Sequence, residues 1–168
     1  MKTLFIMRHA KSSWDNPDWS DFERPLNERG LKTAPFMGEV MTKNNFTPEI
    51  VISSPATRAK QTAELVIKEM KSEADINFDE RIYEASPRQL LEVASEIHDA
   101  YNLAMIVGHN PGFENLVRIL TGRIESMPTA TLAVVDLKID SWNEINFETG
   151  SLRKIIRPKE EQKSNGAI

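Results

Sequence analysis

Two of the three histidines in the chain, His9 and His109, come directly or almost directly after short apolar runs, Leu4 to Met7 and Leu103 to Val107, and Arg8 precedes His9. Arg58 lies three residues past Pro55, in the first turn of the helix predicted after the apolar triplet Ile50-Val51-Ile52. A guanidinium matches phosphoryl oxygens bidentately. A neutral imidazole carries a lone pair able to attack phosphorus, and nearby cations both favour that neutral form and neutralise the equatorial oxygens as charge shifts. Two arginines and two imidazoles meeting at one sheet edge would therefore receive a phosphoryl group and react with it, with His9 or His109 as nucleophile. The leaving group also needs a proton, from a carboxylic acid or an imidazole. Glu84, just before Ser86-Pro87, is the best placed carboxyl by sequence. A chance polar residue leaving a sheet explains each of these positions singly better than it explains all of them together.

For these residues to meet, the apolar runs must be neighbouring strands. They show no alternation, as expected of strands buried on both faces of a sheet. Helical spacing appears between them: Ala59, Ala63, Val66, Ile67 and Met70; Leu90, Leu91, Ala94 and Ile97; Phe113, Leu116, Val117 and Leu120. A further helix is predicted over 27–42, with Leu31, Ala34, Met41 and Met37 or Gly38 inward and Pro35 kinking or delaying it. Ser54-Pro55, Ser86-Pro87 and Asn110-Pro111 each read as a capping residue followed by proline at the first helical position. Two of these helix starts follow buried strands, so their free amides and positive dipole ends should face the carboxyl edge of the sheet and attract anions.

Alternating strands and helices predict an α/β fold, a three-layer α/β/α sandwich on a mostly parallel sheet. Thr131 to Lys138, Glu144 to Phe147 and Ser151 to Ile156, with Glu148-Thr149-Gly150 as a turn, read as strands closing it, at least partly antiparallel. One domain is expected over 1–157, followed by a polar, solvated tail over 158–168.

Composition narrows the alternatives. The 168 residues hold 21 Lys and Arg against 25 Asp and Glu, a net charge of −4 that argues against a general grip on nucleic acid or anionic membrane. No apolar run approaches the roughly 20 residues of a membrane span. Arg8-His9 interrupts the greasy amino-terminal stretch, which therefore reads poorly as a signal peptide, and a cytoplasmic protein is expected. With no cysteine, disulfides, thiolate metal sites and thiol nucleophiles are excluded. The three histidines are well separated and lack ligand spacing, so chemistry without metal or cofactor is expected. No phosphate-cradling glycine loop occurs, and Ser53 and Ser54 lack the setting of an acyl-transfer nucleophile.

Three blocks in this order, Phe5-Ile6-Met7-Arg8-His9-Ala10, Ser53 through Thr62, and Val107-Gly108-His109-Asn110-Pro111, give the chain a resemblance to the histidine phosphatase superfamily. With its short length and the Arg24 to Gly30 segment it looks most like the compact SixA-type phosphohistidine phosphatases. The resemblance implies a phosphoglycerate mutase-like fold and a transient phosphohistidine on His9, with Arg8, Arg58 and His109 holding the phosphoryl group and Arg24 joining them. Glu84 falls near the position from which such proteins supply the acid. One departure is Ala10, where many members have glycine; a need for positive φ or close backbone approach there would be hindered. His98 matches no motif and reads as a surface residue.

Between Arg58 and His109 little sequence is left for a lid. The expected substrate is therefore a phosphorylated side chain of another protein, including phosphohistidine on a phosphorelay domain. The alternatives are a small phosphorylated metabolite, a phosphoglycerate mutase-like transfer and a noncatalytic phosphate-binding module. Trp14, Trp19 and Phe22 in the 12–22 loop read equally as a docking rim or as a satellite of the core.

Overall fold

The computed structural model describes residues 1–164. Its elements run β1 (Lys2–Arg8), α1 (Glu28–Lys43), β2 (Ile50–Ser53), α2 (Thr57–Met70), β3 (Asp75–Phe78), α3 (Pro87–Ser95), β4 (Leu103–Gly108), α4 (Gly112–Thr121), β5 (Leu132–Leu137), β6 (Gly150–Ile156) and α5 (Pro158–Ser164). The strands form one sheet in the order β3-β2-β4-β1-β5-β6. The pairs β3-β2, β2-β4 and β4-β1 are parallel, whereas β1-β5 and β5-β6 are antiparallel.

Successive side chains of a strand point to opposite faces, so each unbroken apolar run feeds two cores at once. Leu4 and Ile6 of β1, with Ala104 and Ile106 of β4, meet Leu90, Leu116 and Val117 from α3 and α4. Phe5 and Met7, with Met105 and Val107, meet Ala34, Met37, Ala63 and Val66 from α1 and α2. Fully burying a side chain of the Leu, Ile or Phe kind stabilises by about 1.5–3 kcal/mol, so the two-sided β1 anchors the sheet.

Several local expectations are corrected. Pro35 neither kinks nor delays α1, which is continuous and capped by the Asn27 side chain on the Gly30 amide. Leu31 is exposed rather than inward, because the buried stripe runs through Gly30, Ala34, Met37, Gly38 and Met41, one position round the helix. Gly30 is what permits this: a Cβ there would collide with the Lys11 backbone carbonyl. Of the three Pro-led starts only Ser86-Pro87 behaves as expected, with a capping box closed by Gln89. Ser54 is still tied to the sheet by its amide on the Val107 carbonyl, so α2 begins at Thr57. Likewise α4 begins at Gly112, past a cis Asn110–Pro111 bond.

Glu144 to Phe147 is not a strand. Trp142–Glu144 forms a 3₁₀ turn instead, with a Ser141–Glu144 capping box and the buried Trp142 indole donating to the Tyr101 carbonyl. The edge strand β3 went unpredicted because Asp75 to Phe78 is short and largely exposed. The expected tail is a helix over Pro158–Ser164, with Pro158 buried, and the remainder of that stretch lies outside the described residues.

Candidate active site

Strand register assembles the site. Arg8 pairs with Gly108 across β1 and β4, and the His9 amide continues the ladder onto the Gly108 carbonyl, so the side chains of His9 and His109 emerge together. Ser53 pairs with Val107 on the other side of β4, delivering Ser54 and the start of α2 to the same edge. The two imidazoles stand 5.1 Å apart between ring centres and tilted by 54°. Gly108 makes room for this crossing, since a Cβ there would lie 2.7 Å from both Ile82 and Phe113.

His9 Nδ1 lies 2.7 Å from the Ala10 carbonyl, which can only accept, so the proton sits on Nδ1 and the lone pair on Nε2. Arg58 Nε donates to that Nε2 at 3.4 Å. The methyl group of Ala10 is accommodated: the residue is fully buried at negative φ, and its amide donates to the Thr62 hydroxyl at 3.0 Å. Burial, against the Ala10 hydrogen bond and with His109, Arg58 and Arg8 adding to it, pushes the pKa of His9 down to about 3. Burial likewise pushes His109 down to about 4, with Arg58 and Arg8 lowering it further and Asp21 opposing them. Both rings are therefore neutral at pH 7, which keeps the His9 lone pair available.

The arginines are held from several elements. Arg8 Nη1 donates to the Met127 carbonyl at 3.0 Å, and burial lowers its pKa against the field of Glu114. Arg58 donates to the backbone and carboxylate of Asp21, and Arg24 donates to Ser12 Oγ and to the same carboxylate. Nε of Arg8, Nε of Arg24 and Nδ1 of His109 are buried with no hydrogen-bond partner within the protein. Buried polar atoms of this kind normally find a partner, and all three belong to residues lining a cavity of about 240 Å³, together with His9, Arg58 and Ser12. The sequence-predicted Arg8, His9, Arg24, Arg58 and His109 are thus brought into one pocket.

Glu84 is not. It is exposed, has a left-handed φ of 54° and does not line that cavity. Two contributors, and the gathering role of a third, Asp21, which the sequence offers with Glu23 only as a nearby partner for Arg24, escaped sequence reasoning. The Ser54 hydroxyl shares a 2.8 Å hydrogen bond with His109 Nε2. The Tyr83 ring meets His109 edge-on at 5.4 Å, and its hydroxyl donates to Asp21 at 2.6 Å. Asp21 gathers Tyr83, Arg58 and Arg24; partial burial works to raise its pKa, but those three hydrogen bonds prevail and hold it far below the usual carboxylate range. His98 is exposed, as expected. Trp14 is 75% exposed at the cavity mouth, with the Arg24 guanidinium 3.5 Å over its ring.

Known proteins share the family and the fold. The family model of the histidine phosphatase superfamily (branch 1) matches residues 4–113, and the chain belongs to that family. An uncharacterized protein of Mycobacterium leprae is 31% identical over 159 residues, spanning 87% of this chain and 96% of that one. A chain of Agrobacterium tumefaciens, assigned as the phosphohistidine phosphatase SixA, superposes with a TM-score of 0.81 at 26% identity, covering 94% of this chain and 98% of that one. The protein histidine phosphatase SixA solved with tungstate gives 0.78 at 23% identity, covering 95% and 99%. The fold is the phosphoglycerate mutase-like α/β fold of these neighbours. Among the described residues, no helix is long and apolar enough to cross a membrane, and no group of three or more potential metal ligands occurs.

Proposed function

We propose that the protein is a cytoplasmic, metal-independent phosphatase working through a phosphohistidine on His9, with phosphohistidine of another protein as its substrate. One observation carries the catalytic reading: a neutral His9 lining a cavity walled by Arg8, Arg24, Arg58 and His109, its Nε2 met within the protein only by the long 3.4 Å hydrogen bond from Arg58. In the first step Nε2 forms a bond to phosphorus while the bond from phosphorus to the leaving atom breaks, and the leaving atom takes a proton. The guanidiniums stabilise charge on the equatorial oxygens. In the second step water attacks the phosphohistidine, releasing inorganic phosphate, regenerating Nε2 and returning a proton to the donor.

For that donor two carboxyls, Asp21 and Glu84, compete with the imidazole of His109, which lines the cavity. Asp21 is ionised while Arg24 and Arg58 hold it. A phosphoryl dianion engaging both guanidiniums removes those partners and adds a like charge, and both changes raise a carboxyl pKa. Asp21 does not line the cavity itself, but Arg24 and Arg58 tie it to the cavity wall, so it is then the better placed carboxyl; Glu84 would need its exposed loop to turn toward the cavity. The protein-substrate reading is supported by the open mouth at Trp14 and by likeness to the Agrobacterium SixA chain. A small phosphorylated metabolite is the second reading, favoured by a basic cavity adjoining the pocket.

Rapid quench with a radiolabelled phosphoryl donor tests the chemistry. Acid-labile label on the wild type, none on His9→Ala, and turnover indifferent to EDTA are expected. Phosphate binding without any label would leave a binding module, and label on His9→Ala would move the nucleophile elsewhere. Incubation with a histidine-phosphorylated relay protein beside a panel of phosphorylated metabolites tests the substrate; turnover of the metabolites alone rejects the protein-substrate reading.

A further inference from the structure

Beside the phosphoryl pocket lies a second cavity of about 350 Å³, and the two share a wall, since Lys11 and Thr129 line both. Four residues around the second cavity are cationic, Lys11, Arg29, Arg157 and Lys159, against one carboxylate, Glu160. Arg157 is already neutralised, bridging to Glu125 at 2.9 Å and to Glu160 at 3.5 Å. That leaves Lys11, Arg29 and Lys159, which among the described residues make no ion pair. Three cations without counter-charge around one concavity, in a chain of net charge −4, form a local field opposite to that of the whole protein. Like charges around a cavity repel, and an anion held between them relieves that repulsion. The volume lies at the small end of ligand pockets and leaves room for a phosphate or carboxylate together with part of the group that carries it.

We propose that this cavity is a second anion-binding subsite of the same active centre. It would receive a phosphate or carboxylate on the part of the substrate that lies beyond the scissile phosphoryl group. The inference rests on the phosphatase reading of the His9 pocket, because a substrate seated on Arg8 and Arg58 reaches the subsite by passing Lys11 and Thr129. The second anion belongs either to a small doubly charged metabolite or to an acidic side chain flanking a phosphorylated histidine.

Matched substrates separate these sources. Fructose 1,6-bisphosphate against fructose 6-phosphate forms one pair. A phosphohistidine peptide with glutamate neighbours, against the same peptide with glutamine, forms the other. In the wild type the doubly anionic member of at least one pair should have the higher kcat/KM, and the pair that shows the preference identifies the source. The double variant Arg29→Glu with Lys159→Glu should cut that preference about fivefold or more, given the modest strength of exposed charge pairs, and salt should weaken it in the wild type. Both residues are exposed in first turns of helices, where glutamate is well tolerated, so the variant should fold. No preference in either pair, or a variant that slows both members equally, overturns the subsite. Calorimetric binding of the same sugars to His9→Ala keeps the two ideas apart. Absence of turnover in the wild type with a variant-sensitive binding preference in His9→Ala would reject the phosphatase reading and keep the subsite.

Discussion

Asp21 accepts from Tyr83, Arg58 and Arg24 at 2.6, 3.0 and 3.1 Å, so the two site arginines carry their own counter-ion before any phosphoryl group arrives. If Asp21 supplies the proton, Asp21→Asn should slow hydrolysis of alkyl phosphates by about 10²-fold, the usual scale of general acid catalysis. Hydrolysis of p-nitrophenyl phosphate, whose leaving group departs without a proton, should suffer far less. Glu84→Gln should leave both near normal; the opposite pattern would make Glu84 the donor. The acid limb of kcat/KM, corrected for ionisation of the substrate phosphate, should lie near pH 4 rather than near 6.5, because His9 and His109 are held down to about 3 and about 4. The sign for stability follows from the same shifts. Below pH 6.5 the unfolded chain takes up protons that the folded chain refuses, so both histidines cost stability increasingly as pH falls toward 4 and 3, and urea midpoints should fall over that range. Arg8, His9, Arg58 and His109 were legible because such side chains at two strand exits and one helix start are together poorly explained by chance, and Arg24 through its motif. Asp21 was not, because it sits among other acidic residues of an irregular loop and acquires its role only from Arg24, Arg58 and Tyr83 in space.

At the scale of elements, legibility followed burial. The strands β1, β2 and β4 and the helices α2, α3 and α4 bury continuous or one-sided apolar patterns, and each was predicted at nearly its true position. Where pairing rather than burial decides, the pattern fell silent. Thus β3 is held by parallel bonds to β2 although its two apolar residues, Ile76 and Phe78, are not fully buried, and the strand expected over 144–147 gives way to the turn at Trp142. Ser54 and Asn110 still accept amides of Ala56 and Glu114, but α2 and α4 start at Thr57 and Gly112, later than their proline signals, because the Ser54 amide is still bonded to β4 and a cis bond precedes Pro111. The junction of β4 and α4 is tight enough to test. Gly108→Ala should destabilise the fold by about 1–3 kcal/mol through overpacking against Ile82 and Phe113. Thermal unfolding measures this, and kcat should fall as well because His109 is the next residue. An unchanged melting temperature would show that the crossing has slack.

In the whole molecule, two apolar layers flank one sheet and all the site arginines and histidines sit at a single edge of it, an arrangement no local pattern reports. It follows only from strand order, which places β1 between β4 and β5. That position has a consequence for biosynthesis. The segment carrying Arg8 and His9 is translated before either of its bonding partners, Leu103–Gly108 and Leu132–Leu137. A nascent chain therefore has no reactive centre until the fifth strand has cleared the ribosome. Products of premature termination before β4 would be inert and would display an unsatisfied, greasy ribbon for chaperones to shield.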